Sequence, residues 1–522
     1  MGVRNAAIYA CVFACGLALD ACGSRQAGPS APAAGPAKID ATWSDPAEYR
    51  IDRATETAGE AIFERTGIGD PYRTGLPYPI FLALLEMHPE LLGATPAALA
   101  DRFGFTGRRA APESSDRDER EGLPVGLHLT DDPNTRVPFV VHNCALCHSG
   151  VVRWPGGEKL VVGLGNRRIR VHAFEEALAK VASAPDFTKE PVAAVATRIA
   201  AERSIPWPAE WRGTIVSTTI QGVKDRYAPR THLLARVGDG LPGRVATIES
   251  FAVALGQLLH RDVETSKTIG WAKIPDTIGF AQKRTLSWDG GSEGPSDALV
   301  VDADIAAGAR VEWLYKHPLQ GASLSTFLRH VPRDLRFPGA IDAGLAAKGK
   351  PLFERACAKC HGTYEEDGRA KSYVEKIVPL DYVDTDPARA MAVTDDFLAA
   401  ANDERLVVGG LRLVSTRRTA GYVPPVLTNI WARAPYGHAG QWPSLAALAA
   451  KPALRPVRFV VHGEAPLDLD KVGVSTADPG AALGPGDYLQ DGNADGFRVT
   501  GHPFIADLGD ESKAVVEYLK TL

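Results

Sequence analysis

Apolar positions along this chain change their period several times, and each change predicts an element. Residues 78–93 and 171–183 place apolar side chains at helical intervals between many Pro and Gly breaks, so residues 44–340 read as helix and loop. Val137, Phe139 and Val141 alternate instead, which predicts an extended approach to residue 144. Leu345, Leu352, Phe353 and Ala356 fall at helical spacing and predict an amphipathic helix from Ala343 to Ala356 that ends on Cys357. Val515, Leu519 and Leu522 repeat that spacing after Asp510 and predict a closing helix. The expected fold class is therefore mainly α with extensive loops. No internal repeat is visible beyond one pentapeptide that occurs twice.

The N-terminus follows a different logic. Ala6–Leu19 is an apolar run behind Arg4, too short for a permanent membrane span and suited to a signal-peptide core. Leu19-Asp20-Ala21-Cys22 resembles a lipoprotein processing box, although Asp20 replaces the usual small or apolar residue. Residues 1–21 are thus expected to be a lipoprotein-type signal peptide and Cys22 a lipidation site, with ordinary cleavage nearby as the alternative. Residues 22–43, rich in Ala, Pro, Gly and Ser, read as a flexible tether. Export to the bacterial cell envelope is expected, periplasmic or lipid-anchored, with membrane contact only through that anchor.

At 522 residues with 45% apolar positions, the chain is long enough for two or three domains with sizeable cores. Its 58 Lys and Arg against 63 Asp and Glu give a net charge of -5 without a basic stripe, which argues against a nucleic-acid partner.

The repeated pentapeptide carries the chemistry. Cys144-Ala-Leu-Cys147-His148 and Cys357-Ala-Lys-Cys360-His361 each set two thiols three positions apart, with a histidine directly behind. That spacing lets both sulfurs reach the vinyl groups of a haem while the imidazole approaches the iron from the same side. A zinc site or a redox dithiol would not require His at both fifth positions. Of the seven cysteines, Cys11 and Cys15 fall in the expected signal segment, Cys22 is the expected lipid site, and these four remain. Two covalently bound haem c groups are expected, with Cys144, Cys147, His148, Cys357, Cys360 and His361 as their attachment residues and His148 and His361 as iron ligands. The domains then divide as an N-terminal haem domain at 44–340, enlarged by insertions, and a C-terminal cytochrome c domain at 341–522.

The opposite ligand of each iron decides between electron transfer and binding of a small oxidant. Methionine is scarce, and Met391 lies in a charged stretch. His502 is the preferred partner for the second iron, with His438 as the alternative and His462 a further candidate. For the first iron only His172 offers itself, and it reads better as a helix-surface residue.

Several segments together resemble one family, the secreted dihaem rubber oxygenases and their relatives, which belong with the bacterial dihaem cytochrome c peroxidases and the methylamine-utilisation dihaem enzyme. The shared segments include Gly75-Leu-Pro-Tyr-Pro79, His142-Asn143-Cys144, Gly243-Arg244, Trp288-Asp289-Gly290, Ile341-Asp342 and Val378-Pro379-Leu380. They continue through Leu427-Thr-Asn-Ile-Trp431, Pro435-Tyr436, Lys471-Val472-Gly473, Gly501-His502 and the closing Glu517–Leu522. The resemblance implies a reactive haem at His148, a six-coordinate relay haem at His361 with His502 opposite, and Trp288 near the path between them or packed as a core aromatic. After Gly290 the chain departs from the family, reading Gly291-Ser-Glu-Gly-Pro-Ser-Asp297 and onward to Asp302-Ala303, with no aromatic near Ala303. This departure points away from rubber cleavage and leaves Asp297 and Asp302 as candidate proton donors, with Glu293 nearby.

The function expected is a dihaem oxidoreductase that activates dioxygen or hydrogen peroxide at the first haem and exchanges electrons with a redox partner protein. The alternative is a non-catalytic electron carrier with both haems six-coordinate. A haem-based gas sensor lacks a visible output domain.

Overall fold

The helix that ends on Cys357 shows how the sequence builds the second motif. Asp342 caps it by accepting a hydrogen bond from the Leu345 amide at 2.9 Å, and the helix runs Ala343–Ala356 as its spacing predicts. Ala346, Gly349, Leu352 and Phe353 form its buried stripe. The closing helix, Ser512–Leu519, crosses that stripe at Gly349, where a β-carbon would stand 1.9 Å from the Ala514 carbonyl oxygen. Only glycine allows the two backbones to approach so closely. Phe353 then packs its ring between Tyr364 and Tyr518, with ring centres 5.9 and 5.3 Å away.

This computed structural model describes residues 53–522 except 70, 109, 295–298, 301–302, 304–317, 332–334 and 405–414. The signal peptide, Cys22, the 22–43 tether, Asp297 and Asp302 lie outside the described residues. The fold is mixed rather than purely helical: helices dominate, and many short antiparallel strands join them. Among the described residues no helix is long and apolar enough to cross a membrane.

Before the first motif, strand Pro138–His142 is the centre of a three-stranded antiparallel sheet, with Leu76–Pro77 on one side and Leu127–Asp131 on the other. Pro138 through Val141 are all buried, so both faces of this strand are covered rather than one. A hairpin, Ser149–Trp154 with Gly157–Val162, follows the motif directly. Helices Val171–Ala182, Lys189–Glu202, Ala209–Tyr227 and Thr247–Leu259 then intervene before the chain returns to the motif.

The structure contains a repeat that the sequence pattern does not disclose. Residues 271–294 and 421–444 trace the same path at a constant spacing of 150 positions, as Pro275 and Pro425 do. Each begins with a short strand, Trp271–Lys273 or Gly421–Tyr422. Each then turns through a left-handed residue, Gly279 or Asn429, into a 3-10 turn, Phe280–Gln282 or Ile430–Ala432. Further left-handed positions match as well, Ser287 with Gly437 and Gly290 with Gly440. Leu286 pairs with Ser292 in the first copy, and Tyr436 with Trp442 in the second.

The copies meet by exchanging bonds: the Lys273 amide donates to the His438 carbonyl at 2.6 Å and the Val423 amide donates to the Trp288 carbonyl at 2.8 Å. Equivalent residues thus make reciprocal contacts, the mark of a local two-fold relation. Apolar clusters also cross residue 340. Ile248, Leu255 and Leu259 pack on Phe397 and Ala400, and Val152, Val161 and Leu164 join the core around Trp431. Residues on both sides of that position belong to one compact unit.

Candidate functional site

Both motifs form one short helical turn held from outside. At the first, Asn143 accepts a bond from the Ala145 amide at 3.1 Å and anchors its own amide group to the Glu64 carbonyl at 2.6 Å. The returning chain braces the motif, with the Asn166 amide on the Cys147 carbonyl and the Gly163 amide on the His148 carbonyl, each at 2.8 Å. At the second motif the Cys360 and His361 amides both return to the Cys357 carbonyl at 3.0 Å, and Tyr364 donates its hydroxyl to the His361 carbonyl at 2.7 Å.

The two histidines are oriented alike. His148 Nδ1 donates to the Pro275 carbonyl and His361 Nδ1 to the Pro425 carbonyl, each at 2.9 Å. These prolines are equivalent positions of the repeat, so the same loop geometry serves both motifs. A proton fixed on Nδ1 leaves the Nε2 lone pair free for a metal, the usual arrangement behind a metal-bound imidazole. Burial favours that neutral form, lowering His148 below its ordinary value and His361 to about 4. Burial likewise pushes the Cys147 and Cys357 thiols up to about 12, so they stay neutral.

A largely apolar cavity with roughly 1320 Å³ of atom-free space, partly open to solvent, lies beside the second motif. Cys357, Cys360 and His361 line it, and so do His438, His502 and Trp288. The His361 and His502 rings have centres 6.1 Å apart and planes tilted by 54°. Two metal–nitrogen bonds of about 2 Å, plus about 1 Å from each nitrogen to its ring centre, add to roughly that distance. His502 Nδ1 is buried without a partner, and burial lowers the ring's value to about 3. The thiols, the paired imidazoles and the apolar walls fit a covalently attached haem. At neither cysteine pair do further Cys, His, Asp or Glu side chains gather into a zinc-type ligand set among the described residues.

The other candidate residues separate clearly. His438 is buried, stacks on Tyr422 at 4.3 Å and places Nε2 3.2 Å from the Tyr422 hydroxyl, so its ring already has a partner. Met391 is 50% exposed, and His462 pairs with Asp487 at 3.0 Å. Glu293 pairs with Arg417 on the surface. His172 is not a surface residue: it is buried, its Nε2 accepts from the Ala246 amide at 3.0 Å, and its Nδ1 lies 3.1 Å from Glu175. With both nitrogens engaged it acts as a core tie rather than a ligand. Trp288 donates Nε1 to the Lys273 carbonyl at 2.9 Å.

Lys273 itself gives no signal in the sequence. It is buried, lines the cavity, and donates Nζ to the Arg433 and Pro435 carbonyls at 2.6 and 3.0 Å. The nearest carboxylate, Asp276, is already paired with Arg433 at 2.8 Å. Burial therefore lowers Lys273 to about 7. Its equivalent in the second copy is Val423, so the loop path itself accepts an apolar side chain there. In the folded chain Lys273 releases its proton near pH 7, whereas unfolded it holds it to about 10.4, so the folded state gains stability as pH rises through that window. Denaturant titrations should show wild-type stability rising by a few kcal/mol between about pH 7 and 10 relative to Lys273→Met. The slope should approach about 1.36 kcal/mol for each pH step of one across the range where only the unfolded chain keeps the proton. Parallel pH profiles for the two proteins would contradict the buried, weakly paired lysine.

Residues 421–460 match the family described as RoxA-like, cytochrome c-like. The uncharacterized protein y4iM of Sinorhizobium fredii is 29% identical over 241 residues, an overlap covering 38% of this chain and 53% of that relative. The uncharacterized protein y4iJ of the same organism is 25% identical over 559 residues, covering 86% of this chain and 89% of that relative. The chain thus spans about half the length of the first relative and most of the second. The matched segment holds Pro425 and His438 within the second copy of the repeat; its RoxA-like, cytochrome c-like character implies a haem-binding cytochrome with covalently attached haem c.

Proposed function

We propose that this chain is an exported two-haem cytochrome in which the His361 haem relays electrons and the His148 haem binds a small oxidant, dioxygen or hydrogen peroxide. The observation that supports the relay assignment is the 6.1 Å separation of the tilted His361 and His502 rings beside a cavity walled by Cys357 and Cys360. The first site is supported by the matching hold of Pro275 on His148, Pro275 being the repeat equivalent of Pro425. Haem supplies one-electron exchange and, at an iron with an open position, oxidant activation.

The chain's own residues do the rest. Cys144, Cys147, Cys357 and Cys360 fix the cofactors, and the two proline carbonyls hold both proximal imidazoles in the neutral tautomer that binds metal. His502 closes the second site against exogenous ligands. Trp288, donating to the Lys273 carbonyl and lining the second cavity, is the aromatic we place near the path between the two haems. Asp297 and Asp302 remain the proposed proton donors, and the Cys22 box supports a lipid anchor in the cell envelope.

Carbon monoxide titration of the dithionite-reduced, full-length holoprotein tests this reading. One molecule bound per chain is the expected result. No uptake would favour the electron carrier with both irons capped, and two would remove His502 as a closing ligand.

A further inference from the structure

His502 differs from the other two imidazoles of the site in what holds it. His148 and His361 each have Nδ1 tied to a proline carbonyl, whereas His502 Nδ1 is buried without a hydrogen bond. No proline carbonyl like those behind His148 and His361 sets the angle of its ring. Its backbone sits at φ 46°, a left-handed conformation that a residue with a β-carbon adopts only when its surroundings enforce it. The Val383 carbonyl takes the His502 amide at 2.7 Å, and the Trp442 and Phe504 rings stand 6.0 and 5.2 Å from the imidazole.

The strongest hold on this segment comes from Arg455, which is 3% exposed. Nη1 donates to the Val499 and Gly501 carbonyls at 2.9 and 2.6 Å, and Nη2 to the His502 and Leu448 carbonyls at 3.2 and 3.1 Å. Nε donates to the Ala450 carbonyl at 3.1 Å, so all five guanidinium N–H groups are used. The guanidinium also lies over the Trp442 ring at 5.3 Å, and Trp442 shares the Val499 carbonyl through Nε1 at 2.9 Å. Among the described residues no carboxylate pairs with Arg455. Burial without a counter-charge lowers its value to about 10, leaving it charged at neutral pH. A buried cation without an anion is costly, and here its bonds converge on three carbonyls of one loop, 499–502, and on the helix end beneath it.

We propose that Arg455 is the positioning residue for His502, its forked guanidinium locking the 499–502 main chain so that the imidazole stays opposite His361. This rests on His502 being the second ligand of the His361 iron. Lysine in place of arginine brings at most three donors from one point and cannot bridge carbonyl groups spread around a plane.

The test uses the full-length holoprotein with Arg455→Gln, Arg455→Lys and His502→Ala, each checked first for covalent haem content. In Arg455→Gln the ferric spectrum of the second haem should pass from low-spin to a mixture with a major high-spin share. The reduced protein should take up carbon monoxide beyond one per chain, and added imidazole should restore the low-spin form. Arg455→Lys should show the same change to a lesser extent, and it decides the matter if the glutamine variant does not accumulate as a folded holoprotein. Unchanged spin state and carbon monoxide stoichiometry in folded Arg455 variants, with His502→Ala turning high-spin, would overturn the positioning role alone. A low-spin second haem in His502→Ala would instead overturn the ligand assignment beneath it.

Discussion

Alanine at position 502 is expected to turn the second haem from low-spin to high-spin and to open it to carbon monoxide, raising uptake from one to two per chain. The effect should be close to complete, because the alternatives the sequence offers, His438 and Met391, are otherwise engaged or exposed. His438 would have to leave its stack on Tyr422, 4.3 Å away, and abandon the hydroxyl at its Nε2. That hydroxyl is itself fixed, donating to the Asp386 carbonyl at 2.6 Å. Met391 is half exposed and is not part of the cavity lining. The covalent haem count should not change, since the attachment proposed here is through Cys357 and Cys360. A low-spin spectrum in the variant would identify another ligand and send the search back to His438.

Replacing Cys144 and Cys147 together with alanine is the second large effect expected. Covalent haem should fall from two to one per chain, measured as the absorbance retained after acid–acetone extraction. The second motif should remain loaded, because its entry helix, Ala343–Ala356, and its clamp by the closing helix at Gly349 are built from other residues. Carbon monoxide binding should disappear with the first haem. Retention of two covalent haems would refute attachment at the first motif.

What could be read in the sequence was local. The helix ending on Cys357 and the closing helix follow from apolar spacing over a few turns, and each Cys-x-x-Cys-His motif lies within five residues. The repeat at 271–294 and 421–444 was not legible, because Pro275/Pro425 and Gly290/Gly440 are the only identities between the copies. Backbone geometry is what they share. Gly279 and Asn429 both supply a left-handed turn, as do Ser287 and Gly437, so different side chains meet the same conformational demand.

Long-range partners were equally hidden. His172 reads as a surface position until the fold brings the Ala246 amide to it across 74 residues. Arg455 gives no signal either, since its partners are carbonyl oxygens, which every residue carries. Lys273 becomes visible only when the repeat sets it against Val423.

The most direct measurement is the number of haems that stay attached to the full-length, denatured chain, by pyridine haemochrome absorbance against protein concentration. Two per chain is the result predicted by the paired motifs and their equivalent proline supports. One per chain would contradict the central claim, reducing the protein to a single-haem cytochrome whose first motif serves another purpose.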